Sequence, residues 1–138
     1  MTDEERLEML RASRPWGFTD YIGIKIEQIS EGSVRLSCQI EERHLNPHRI
    51  AHGGVSFSML DTASGIAGTT LCREGQNVVT QCADIHFFRP VLPGTVYAES
   101  HILKAGRHTA FVSADLLDEA GTVCVHGEFE MFFITKQN

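Results

Sequence analysis

Residues 46–72 read NPHRIAHGGVSFSMLDTASGIAGTTLC, and between Arg49 and Arg73 the only formal charge is Asp61. Charged side chains are almost never fully buried without a partner or a task, so a carboxylate alone among small, hydroxylic and apolar residues asks for a chemical reason. The run opens with His52-Gly53-Gly54. At the start of a helix, free backbone N–H groups and the positive end of the helix dipole can meet an anion or a polarised carbonyl. A glycine there also lets a reacting group approach the backbone closely. Gly53, with Gly54 beside it, and Asp61 therefore read as two halves of one reaction site. Asp61 follows Gly53 by eight positions, about 12 Å along a helix at the usual rise, so a single chain does not bring both groups to one small reacting centre. The reading without chemistry makes Asp61 a helix carboxylate bonded to Ser58 or Thr62, and His52 a helix cap or core histidine.

The elements that must hold these residues follow from the apolar periods. Residues 3–13 place Leu7 and Leu10 on one side among Glu and Arg, a short amphipathic helix ended near Pro15. Trp16, Phe18 and Tyr21 are expected to pin this arm, residues 1–20, onto the domain. Ile22, Ile24 and Ile26 alternate with Gly23, Lys25 and Glu27, and after a turn at Glu31-Gly32 so do Val34, Leu36, Cys38 and Ile40 with polar neighbours, which predicts a strand pair. A helix over 53–71 is apolar or small on almost every face and is expected to be enclosed by the rest of the fold. Strands are expected over 78–88, 95–104, 109–117 and 122–134, separated by Pro93-Gly94, Ala105-Gly106 and Glu119-Ala120-Gly121. No repeat, linker or composition shift divides the chain, so 1–138 reads as a single α+β domain, an antiparallel sheet curled around one long central helix.

With 42% apolar and 22% charged residues, the chain can build a core without disulfides or metal. Its net charge of -6 argues against nucleic acid as a partner. The acidic N-terminus MTDEERLEML lacks the basic and apolar regions of a secretory signal, and Asp61, His52 and many hydroxyls make 51–72 unfit as a membrane span. No membrane association and a cytoplasmic location are expected, with the scattered Cys38, Cys72, Cys82 and Cys124 reduced, and Cys82 and Cys124 as small buried side chains. His44, His48 and His52 recur every fourth residue, but Pro47 and the glycine pair make a poor helix and no Cys or carboxylate completes a set, so no metal is expected. His86, His101 and His126 fall on the wet or interface face of strands.

The element order resembles that of the hotdog-fold acyl-CoA thioesterases, in particular the phenylacetate-pathway (PaaI-like) branch. So does the pattern of Asn46, His52-Gly53-Gly54, Asp61 followed by Ala63, and Phe87-Phe88-Arg89-Pro90 with a later Gly, the likeness covering residues 18–134. It implies a hotdog fold and hydrolysis of an acyl-CoA to free acid and coenzyme A. The Gly53 N–H would meet the thioester carbonyl oxygen, Asp61 would act as nucleophile or general base, Asn46 and His52 would orient these groups, and Thr80 would help hold the attacking water. Coenzyme A then enters as part of the substrate, with no separate cofactor. The resemblance further implies a homodimer in which the helix start of one subunit faces the carboxylate of the other, two composite sites per dimer; whether dimers pair into a tetramer stays open. Gly54 and the basic residues Arg89, Lys104, Arg107 and His108, placed near strand ends, are the candidates for binding substrate and coenzyme A phosphates. His48 stands where many members carry Gly, which bears on substrate class more than on chemistry. Two other functions use the same residues: a hotdog acyl-thioester hydratase or dehydratase, in which a His pairs with a carboxylate across the site, and a non-catalytic acyl-CoA-binding module. The His-Gly-Gly order and the helix Asp favour hydrolysis. The acyl group stays open between aryl and medium-chain, which Phe57, Met59 and the aromatic arm would each suit.

Overall fold

A computed structural model describes residues 1–14 and 16–136. In chain order it contains α1 (Asp3–Ala12), α2 (Phe18–Ile22), β1 (Lys25–Ser30), β2 (Ser33–Ile40), a 3-10 turn (Glu42–His44), α3 (Gly53–Thr69), β3 (Gln76–Phe87), β4 (Gly94–Ala105), β5 (Thr109–Leu117) and β6 (Val123–Thr135). The six strands form one antiparallel sheet in the order β1-β2-β4-β5-β6-β3. The long helix therefore carries the chain from β2, near one edge, across the sheet to β3 at the other.

Period-two patterning explains the sheet. Val34, Leu36, Cys38 and Ile40 of β2 meet Ser100, Ala98, Val96 and Gly94 of β4, and Val112, Ala114 and Leu116 of β5 meet Phe129, Gly127 and Val125 of β6, all on the face toward α3. The helix fills that face with Val55, Met59, Leu60, Ala63, Ile66 and Ala67, all buried. Small residues let helix and sheet come close. A Cβ at Gly68 would stand 3.1 Å from Val78, and one at Gly127 would stand 2.8 Å from the Phe129 ring and 3.4 Å from Leu60. The Ser100 hydroxyl donates to the Ala63 carbonyl at 2.8 Å, so the one buried polar side chain of β4 is satisfied by the helix it packs on.

Four expectations change. Ile22 ends α2 instead of opening a strand, because Gly23 adopts φ 92 as a left-handed cap and interrupts the 22/24/26 alternation, and β1 starts at Lys25. Phe18 and Tyr21 are exposed, at 63% and 79%, so they do not pin the arm. Leu7, Leu10 and Trp16 pack on the core instead, while Arg11 and Arg14 donate to the carbonyls of Ile26 and Ile24, both at 3.0 Å. Pro15 lies outside the described residues. Cys82 is exposed on β3, whereas Cys124 is buried as expected. Finally, α3 is not enclosed: Gly54, Ser58, Asp61, Thr62, Gly65 and Thr69 stay exposed or half-buried along one side, since a single curved sheet covers only part of a cylinder. No described helix is long and apolar enough to cross a membrane.

Candidate active site

The helix start is built by the loop before it. The Asn46 N–H donates to the Ile50 carbonyl at 2.8 Å, and its side-chain Oδ1 accepts from the His48 N–H at 2.9 Å, which folds the loop over Arg49, the one described non-glycine residue at positive φ (66). Anchors at either side fix its exit: the Ala51 N–H donates to the Val91 carbonyl and the His52 N–H to the His44 carbonyl, both at 2.8 Å. His44 is itself buried, with Nδ1 accepting from the Glu41 N–H and Nε2 on the Ile22 carbonyl. The series His44, His48, His52 thus shares no face, and no group of three or more potential metal ligands occurs among the described residues.

So held, His52 is the N-cap of α3. Its Nδ1 accepts from the Gly54 N–H at 2.8 Å and its carbonyl accepts from the Val55 N–H at 2.9 Å. A Cβ at Gly54 would sit 3.0 Å from that same Nδ1 and would crowd the capping ring. The amide of Gly54 is consequently spent within the protein on the His52 ring. Gly53 keeps its N–H without an acceptor among the described residues. It borders a cavity of 310 Å³ lined also by Asn46, Ser56, Phe87, Phe88 and Arg89. A Cβ at position 53 would come 3.3 Å from the Phe87 ring, which explains the glycine sterically. The buried Ser56 and the ring of Phe87 also belong to this cavity, and the sequence signal for Phe87 is its place in the Phe87-Phe88-Arg89-Pro90 run.

Asp61 lies two turns further along α3, half-buried. The Thr80 hydroxyl donates to its Oδ1 at 2.6 Å, and the Thr80 Oγ1 also lies 3.4 Å from the Met131 sulfur. Thr80 reaches Asp61 because β3 and β6 pair Thr80 with Met131 on the helix-facing side, just before a bulge between Thr80 and Cys82. Ser58 does not hold the carboxylate: its hydroxyl donates to the Gly54 carbonyl at 2.7 Å. Asp61 does not line the cavity at Gly53, in keeping with the roughly 12 Å between the two positions along the helix. The structure thus unites Asn46, His52, Gly53 and Arg89 at one place and Asp61 with Thr80 at another.

The four basic candidates do not form one patch. Arg89 follows β3 at the level of Val125, whereas the carbonyl of His108, in the β4–β5 turn with Lys104 and Arg107 nearby, accepts from the Phe133 N–H. The eight residues of β6 between these levels span about 26 Å at the strand rise. The antiparallel order that puts β5 beside β6 turns the hairpin tip to the opposite end of the sheet.

An amide donor at a helix start and a carboxylate on the same helix are the two groups that hydrolysis of an activated acyl bond needs, and the sheet curled around that helix makes the fold that of a hotdog enzyme. Comparison with known proteins carries this further. The sequence model of the thioesterase superfamily matches residues 48–125, and the chain belongs to that family and is a thioester hydrolase. It is 29% identical over 121 residues to the proofreading thioesterase EntH of Klebsiella pneumoniae, covering 88% of each chain. A thioesterase structure from Haemophilus influenzae superposes with a TM-score of 0.87 at 26% identity, covering 94% of this chain and 90% of that one. The PaaI protein of the Escherichia coli phenylacetic acid degradation operon has the same fold, with a TM-score of 0.86 at 21% identity over 97% and 94% of the chains.

Proposed function

We propose that this protein hydrolyses acyl-CoA thioesters in the cytoplasm at two composite sites of a homodimer, Gly53 of one subunit acting with Asp61 of the partner subunit. The observation that carries this is the division of the machinery. A free amide borders a cavity at the start of α3, and the Thr80-bound carboxylate stands two turns away, outside that cavity. Strand β3 supplies a means of joining them. It is a sheet edge with no second neighbour among the described residues, and Val79, Phe87 and Phe88 are exposed on or beside it. Phe87 touches Gly53 and Thr80 touches Asp61, so a two-fold axis midway between them, near Ala83 and Asp84, would set each Gly53 toward the partner's Asp61.

In this arrangement the Gly53 N–H and the start of α3 stabilise the oxyanion, a contribution of about 3–4 kcal/mol for one well-placed donor. Asp61 takes the proton of a water whose oxygen bonds to the acyl carbon. The C–S bond then breaks and coenzyme A leaves with a proton as the free thiol. His52 and Asn46 act at one remove, the first by capping the helix and the second by shaping the loop. Arg89 at the cavity is suited to a coenzyme A phosphate, and antiparallel pairing across β3 would bring the partner's β4–β5 turn to the same end of the dimer. A Streptococcus mutans protein of this fold, with a TM-score of 0.77 at 21% identity, has been solved with acetyl-CoA, which supports the choice of thiol carrier.

Subunit complementation tests the reading. Asp61→Asn and Gly53→Val proteins, each inactive against a panel of acyl-CoAs in a thiol-release assay, are unfolded together and refolded. The mixture should regain about a quarter of wild-type turnover, since half the dimers are mixed and each mixed dimer holds one intact site. Mixed dimers without regained activity would overturn the composite site.

A further inference from the structure

Four glycines close to the candidate site differ in one respect. Those at 53, 54 and 68 each have an atom within 3.3 Å of a built Cβ, so packing accounts for them; Gly65 has nothing within 4 Å. It sits in the interior of α3, where glycine weakens a helix relative to alanine, and its φ is not one that needs glycine. The protomer alone therefore supplies no reason for it. Gly65 lies one turn beyond Asp61 on the uncovered side of the helix, and one turn further is Thr69, whose hydroxyl is turned back onto the Gly65 carbonyl at 2.8 Å. The Thr69 hydroxyl is thereby spent within the helix.

Thr69 also borders a groove of 310 Å³ between α1 and the end of α3. It is lined by Met9, Leu10, Ile29, Ile66, Thr69 and Cys72, among others. Its one charged lining residue, Arg6, is paired with Asp3 at 3.0 Å. The groove is thus largely apolar, has two exposed methionines at its mouth, Met1 and Met9, and at Thr69 comes within one helical turn of Gly65 and two of the carboxylate. From Asp61 to Thr69 the helix rises about 12 Å, more than a short acyl group or a single aromatic ring covers.

We infer that the acyl chain of the substrate leaves Asp61 across Gly65 and ends in the groove under α1, so that Gly65 determines chain length and the substrate is a medium-chain aliphatic acyl thioester. This rests on Asp61 being the reacting carboxylate. A second copy of α3 is the competing occupant of the space over Gly65, and the test separates the two.

The experiment measures kcat/KM for acetyl-, butanoyl-, hexanoyl-, octanoyl-, decanoyl- and benzoyl-CoA with wild type, Gly65→Ala, Gly65→Val and the groove variant Met9→Trp, with sedimentation to record assembly. Wild type should prefer octanoyl- over acetyl- and benzoyl-CoA. Gly65→Val should lower the octanoyl-to-acetyl ratio about tenfold or more, the discrimination that one or two displaced methylenes produce, and Gly65→Ala should lower it less while raising the melting temperature. Met9→Trp should reduce the decanoyl-to-hexanoyl ratio. Equal losses at every chain length, an unchanged ratio, or dissociation of the dimer by Gly65→Val would each overturn the inference. Failure of the underlying reading would look different: Asp61→Asn would hydrolyse the whole series as fast as wild type.

Discussion

Removing the Thr80 hydroxyl probes the link between strand and helix most directly. Thr80→Val keeps the side-chain volume and deletes the 2.6 Å donor to Asp61. A hydrogen bond to a charged group contributes about 1.5–3 kcal/mol, and because Thr80 is exposed the lower end applies. If that bond holds Asp61 in its reacting position, a loss of about 1.4 kcal/mol lowers kcat roughly tenfold, with little change in KM, and Thr80→Ser restores most of it. Asp61→Asn, which still accepts from Thr80 and so leaves the fold intact, should cost about 10²- to 10⁴-fold through loss of the base. Thr80 is a positioning residue in this scheme, so its effect must vanish once Asp61 is neutralised. Steady-state thiol release by the two single variants and the double variant forms the cycle. A further tenfold loss on adding Thr80→Val to Asp61→Asn would refute the argument that Thr80 acts through the carboxylate. So would Asp61→Asn retaining wild-type turnover.

Two predictions concern stability. The Ser64 hydroxyl is fully buried next to this region and has no hydrogen-bond partner among the described residues; Ser64→Ala should raise the urea unfolding free energy by about 1 kcal/mol, and a fall would reveal a partner. Burial pushes the thiols of Cys38, Cys72 and Cys124 upward. In the unfolded chain they ionise near pH 8.5, about the ordinary thiol value. Above that pH the folded state binds more protons than the unfolded one, so stability is fully present below about pH 8.5 and declines as pH rises through the folded values. Urea midpoints between pH 7.5 and 10 should fall, and a variant with all three replaced by Ala should show a shallower fall.

What could be read in advance follows the range of the interactions involved. The helix start was legible because its cap is local: His52 caps Gly54 two residues away, and a Cβ at Gly54 would crowd that same ring, whereas the crowding at Gly53 comes from Phe87 on a distant strand. Strands β2, β4, β5 and β6 were legible because alternation with period two survives wherever one face is buried. The alternation of Ile22, Ile24 and Ile26 misled because Gly23 can adopt a left-handed conformation, and nothing in a pattern of apolar residues reports φ. Phe18 and Tyr21 misled for another reason: the two arginines, through the carbonyls of Ile24 and Ile26, fasten the arm that aromatic burial was expected to fasten.

By itself the amino-acid sequence determined a charge-poor helix that opens on His-Gly-Gly and carries a single carboxylate two turns on, within an α+β domain of the thioesterase superfamily. Capping, periodicity and helix rise are properties of neighbours along the chain, and they suffice for that. Only the tertiary structure decided that Thr80, nineteen residues from Asp61, donates to it, and that β3 lies at an open edge. It alone parted Arg89 from Lys104, Arg107 and His108 and left the space over Gly65 empty. Each of these depends on which strands lie side by side and on how far one curved sheet reaches around a helix, and strand order is set by contacts between residues distant in the chain.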